Sequence, residues 1–125
     1  MITWYSVNDE DTAAQERLQA AWVDAPTTNL ELCGMLLDVA ADQVWAFAPE
    51  SEDDAGEPVA APAAGLPVPS RLVYAQLQQA VNLWNAGRVT SDGNTGMDSF
   101  TFTPRPLDKT IRLVIRPTKG VPDVS

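Results

Sequence analysis

The chain has 125 residues, no histidine, one cysteine and a formal net charge of −9. That length suits one domain with a modest core. Without histidine there is no Ser-His-Asp, Cys-His or HExxH arrangement and no imidazole for acid–base work near neutral pH. A lone Cys33 rules out an intramolecular disulfide and any CxxC site.

No phosphate-cradling GxxxxGK[ST] or GxGxxG string occurs. An enzyme is therefore not expected, and no catalytic residue, cofactor or metal site is assigned. No apolar run approaches a membrane span. The start, "MITWYSVNDEDTAAQ", lacks a basic region followed by an apolar core, so a secretory signal is not expected.

In chain order, "EDTAAQERLQAAW" predicts a first helix from Asp9 or Asp11, with Ala14, Leu18, Ala21 and Trp22 on one narrow face and Pro26 as its end. "APTTNLELCGMLLDVAADQVWAFAP" predicts the most buried helix. Thr27 or Thr28 would cap it in a box with Glu31, and Cys33, Leu37, Ala40, Val44 and Phe47 follow helical spacing. Cys33, among leucines, reads as a packed small hydrophobe.

Residues 49–69 turn Pro-, Ala- and acid-rich without periodicity, as a long loop or extended arm would. "SRLVYAQLQQAVNLWNAG" resumes helix, with Val73, Leu77, Ala80, Val81 and Trp84 inward, Gln78, Gln79, Asn82 and Asn85 outward, and Gly87 as C-cap. Residues 88–105 predict a second long loop in which "SFTFT" alternates as a short strand or β-hairpin would. Asp92, Asn94 and Asp98 there lack the spacing and terminal glutamate of a calcium loop.

Pro106 is placed to open a last helix, "LDKTIRLVI", which Pro117 would stop ahead of an extended tail over 117–125. Lys109, Arg112 and Arg116 would share one face, with Leu107, Ile111, Val114 and Ile115 on the other and Leu113 beside the cations. The fold class expected is all-α: a small bundle of about four helices with two long loops.

Charge is uneven. Residues 1–58 hold 13 acids and one base, net −12; residues 59–125 hold four acids and seven bases, net +3. Either the acidic helices are solvated and the basic end folds back on them, or the basic end docks on something acidic. Tight nucleic-acid binding is not expected of so acidic a chain.

The helix "LCGMLLDVAADQVWAFAP", the Pro-rich loop, "PSRLVYAQLQQAVNLWNAGRV" and "DGNTGMDSFTFTPRPLDKTIRLVIRPTKG" together resemble the head–tail adaptor (connector) proteins of long-tailed bacteriophages. The resemblance covers most of the chain and is strongest from Pro69 to Gly120; the acidic "ESEDDAGEP" departs from it. It implies a virion structural protein of the neck region, present in host cytoplasm during assembly. Such proteins form a ring of twelve copies beneath the portal, extend the DNA channel without binding DNA specifically, and meet the stopper or tail.

The portal or subunit interface it implies comprises Arg105, Lys109, Arg112, Leu113, Arg116, Thr118, Lys119, Val121 and Val124. Arg88, Met97, Phe100 and Phe102 fall on the loop implied to face neighbours or the tail. The basic stripe is thus expected to face protein. A tail-completion or capsid-accessory protein, or a cellular helical interaction module, is the competing reading.

Overall fold

Amphipathic periodicity sets the helices, and polar side chains cap them. In a computed structural model, residues 2–8, 10–63, 65–91 and 105–116 are described. They form α1 (Thr12–Ala21), α2 (Leu30–Phe47), α3 (Ser70–Ser91) and α4 (Lys109–Ile115), plus a 3-10 turn at Pro49–Ser51. No strand occurs among the described residues, so the fold is a small all-α bundle, as expected. The "SFTFT" segment and the 92–104 and 117–125 stretches lie outside the described residues.

Asp11 caps α1, its carboxylate accepting the Ala14 N–H at 3.0 Å. The helix ends at Ala21, well before Pro26: the Trp22 N–H makes the last i→i−4 bond, to the Leu18 carbonyl at 2.7 Å, and Trp22 itself leaves helical geometry at φ −140° and ψ 89°. Leu18 and Trp22 are buried; Ala21 is exposed. The cap of α2 is Asn29 rather than either threonine. Its side-chain oxygen accepts the Leu32 N–H at 3.1 Å, and an amide at this position does the work assigned to the Thr28–Glu31 box.

α2 and α3 run antiparallel. At one end Cys33, Leu36 and Leu37 pack with Ala80 and Leu83 of α3 and with Leu18 and Trp22 of α1. At the other, Val44 and Ala48 pack with Leu72 and Val73, with Trp4, and with Ile111 and Ile115 of α4. Burying each of the larger aliphatic side chains contributes about 1.5–3 kcal/mol. Cys33 is fully buried, and burial pushes its thiol up to about 11, which suppresses the thiolate.

The 49–69 segment is a loop folded onto the bundle, not an arm. The Trp45 indole donates to the Val59 carbonyl at 2.7 Å, and the Val59 N–H donates to the Ser51 carbonyl at 2.7 Å. The Asp53 carboxylate accepts the Ala55 and Glu57 N–H groups, and Gly56 takes the left-handed φ of 81° that closes the turn.

Two expectations for α3 fail. Gly87 is buried inside the helix, which continues to Ser91, so it is not the C-cap. Gln79, assigned to the solvent face, is 0% exposed, and Gln76 is 1% exposed. Chain segments without secondary structure cross α3 at both positions, and their backbone groups need partners. Gln76 receives the Tyr5 N–H (2.8 Å) and donates to the Tyr5 carbonyl (2.9 Å) and the Leu37 carbonyl (3.1 Å). The residues 2–8 thereby lie against the bundle as a strand would, with one side chain standing in for the neighbouring strand. Arg17 finishes the job, donating to the Thr3 carbonyl at 2.7 Å and the Trp4 carbonyl at 3.2 Å while stacking 4.2 Å over the Tyr5 ring.

Gln76→Leu keeps the volume but strands the Tyr5 N–H and carbonyl. It should cost about 2–3 kcal/mol in urea unfolding and expose Trp4 to a fluorescence quencher.

Candidate functional site

α4 has seven residues, well short of the ~12–15 at which an isolated helix becomes even marginally stable. Its position therefore depends on tertiary contacts, and these occur at both ends. Upstream, the Arg105 carbonyl accepts hydrogen bonds from the Gln43 and Gln79 amides, both at 2.9 Å. Asp108, not Pro106, starts the helix: one carboxylate oxygen accepts the Ile111 N–H at 2.8 Å, the other the Asn82 amide at 3.1 Å.

Downstream, the Arg71 Nε donates to the Ile115 carbonyl at 2.9 Å. The same guanidinium holds both oxygens of Glu50, at 2.6 and 2.7 Å. Burial alone would raise the Glu50 carboxyl. The Arg71 hydrogen bonds and the charges of Arg71 and Arg116 outweigh it and hold the group below the ordinary carboxylate range. Arg116 donates from Nε to the Phe47 carbonyl at 2.5 Å and lies 5.2 Å over the Phe47 ring. Between these ends Ile111 and Ile115 are buried, and Leu107 and Val114 pack against them.

The face turned outward is the expected one. Lys109, Arg112 and Arg116 are exposed, and Leu113 keeps 43% of its surface in solvent. Arg105 is exposed too, and its backbone rather than its side chain ties it to the bundle. The cations divide by role. Arg17, Arg71 and Arg116 bind backbone carbonyls, and Arg88 lies 5.6 Å over Trp84. Arg71–Glu50 is the one ion pair among the described residues, which leaves Lys109 and Arg112 without an acidic partner there.

Arg88 belongs to α3 and not to a loop, because the helix outlasts Gly87. Met97, Phe100, Phe102, Thr118, Lys119, Val121 and Val124 lie outside the described residues, as do Asp92, Asn94 and Asp98.

Sequence reading located the basic face but missed what positions it: Gln43, Gln79, Arg71 and Glu50. A signal for Gln79 does exist, since Leu72, Gln76, Gln79 and Leu83 follow core spacing, but none marks Gln43. Nothing local pairs Glu50 with Arg71. No group of three or more metal-ligating side chains occurs among the described residues, and no described helix is long and apolar enough to cross a membrane. Compared with protein-family models, curated proteins and solved structures, the chain matches none.

The Glu50 clasp is complete above the ordinary glutamate value of about 4.3 and is lost as pH falls through the depressed folded value. Glu50→Gln should therefore speed amide exchange at Ile111 and Ile115 at neutral pH and cost about 1 kcal/mol, a partly exposed pair contributing no more. Acidification should loosen the Ile115 amide more in the unsubstituted chain than in the variant; Ile111 does not discriminate, because its N–H is also held by the Asp108 carboxylate.

Proposed function

We propose that this chain is a head–tail adaptor of a long-tailed bacteriophage, a structural protein that forms a ring beneath the portal and joins the capsid to the stopper or tail. The observation that carries the reading is the outward face of α4. Lys109, Arg112 and Leu113 are exposed on a helix clamped at both ends, on a chain whose net charge is −9. A cationic face with one apolar side chain, lacking an acidic partner among the described residues, suits contact with an acidic protein surface.

The segment order from Pro69 to Gly120 supports the same reading by resemblance. So does the overall charge, since phosphate is repelled by an acidic wall and DNA would slide past it. In this reading no chemistry is performed. The protein supplies a channel segment and two docking surfaces, within the neck of the particle.

Arg116 is a poor probe of this role because it also holds the Phe47 carbonyl. The direct test is negative-stain electron microscopy of the protein mixed with the portal protein of the same genome. An added annular layer on the narrow end of the portal is the expected result. Portal particles that look the same with and without the protein would overturn the assignment.

A further inference from the structure

The side of α2 turned away from its buried residues carries Glu31, Met35, Asp38 and Asp42, all exposed, at i, i+4, i+7 and i+11. Three of the four are acids and none is basic. Asp38 and Asp42 sit one helical turn apart, where like charges repel. Burial raises the Asp38 carboxyl above its ordinary value, and the charge of Asp42 raises it further. No ion pair relieves either group among the described residues. Met35, one turn before Asp38, keeps 48% of its surface in solvent.

The α4 face has the complementary composition in the reverse order. Along α4 come Lys109, Arg112 and Leu113; along α2 come Met35, Asp38 and Asp42. In an antiparallel crossing Leu113 meets Met35, Arg112 meets Asp38 and Lys109 meets Asp42. The axial spacings differ by about 1.5–4.5 Å at a rise of about 1.5 Å per residue, which the flexible lysine, arginine and methionine side chains can take up.

Within one chain the two faces form no ion pair; α4 meets α2 on its buried side, where Ile111 and Ile115 share a cluster with Val44, and its flanking residues Arg105 and Arg116 bond Gln43 and the Phe47 carbonyl. We infer that the exposed face of α4 docks on the Glu31–Asp42 stripe of α2 in a second copy of this chain. The contact is head-to-tail: each copy keeps one α4 face and one α2 stripe for further copies, so association propagates beyond a dimer. This inference rests on reading the α4 face as a protein-contact surface, and it commits the occupant to a like chain.

The test uses sedimentation of the full chain without any portal protein. At low ionic strength, where the Debye length is about 30 Å at 0.01 M, the wild type should sediment as species heavier than the 13.5 kDa monomer. Salt near 1 M, with a Debye length of about 3 Å, should reduce it to monomer. Lys109→Glu with Arg112→Glu, and separately Asp38→Lys with Asp42→Lys, should each give monomers with unchanged helical circular dichroism, because all four side chains are exposed.

An equimolar mixture of the two variants should associate again, since the reversed α4 of one now faces the reversed α2 of the other. A wild type that stays monomeric at low salt, either variant associating as the wild type does, or a mixture that stays monomeric would each overturn the contact. Self-association that follows these rules beside an unaltered portal would uphold the contact while the adaptor assignment fails.

Discussion

Two buried glutamines on one helix organise this molecule. A sheet satisfies backbone groups with a neighbouring strand, but this bundle has no strand among its described residues, and two irregular segments nonetheless cross α3. Their carbonyls and N–H groups would be orphaned in the interior without side-chain partners. Gln76 provides them for Tyr5 and Gln79 for Arg105. Gln76 both accepts and donates, so it specifies a position as well as relieving a cost, whereas Gln79 only donates and its buried Oε1 has no partner among the described residues. The N-terminal segment and the approach to α4 are therefore held in place by the same helix, one turn apart.

The arginines extend the same logic toward the surface. Arg17, Arg71 and Arg116 each give donors to carbonyls at chain ends or crossings, where helical bonding has run out. A guanidinium suits this because its several donors form a rigid fork. Arg71 goes further by joining the last carbonyl of α4 to the Glu50 carboxylate just past α2. The positive charges that remain on α4, at Lys109 and Arg112, are consequently presented on a short helix that cannot readily tilt or fray.

Much of this was legible in advance. All four helices, the inward set on α4, the exposure of Leu113 and the burial of Cys33 follow from spacing and composition. The errors share a cause. Asn29 rather than a threonine caps α2, Asp108 rather than Pro106 opens α4, and Gly87 does not end α3, because several residues in each region could serve. Gln79 was assigned outward since an amide usually prefers water. Its actual partner, the Arg105 carbonyl, lies 26 residues away in sequence.

Where helices form, which stripe of each is apolar, and the concentration of acid before residue 59 and base after it are local properties of the chain. Those properties depend on a 3.6-residue repeat and on local counting, so neighbours in the chain suffice to set them. The tertiary structure alone decided which polar side chains go inside and which cations are used up. A buried amide or a paired arginine is defined by a partner brought near through folding, as Arg71 is by Glu50 at a separation of 21 residues. That is why a basic helix face could be read from the sequence, whereas the division between Arg116, tied to the Phe47 carbonyl, and Lys109 and Arg112, which have no acidic partner among the described residues, required the fold.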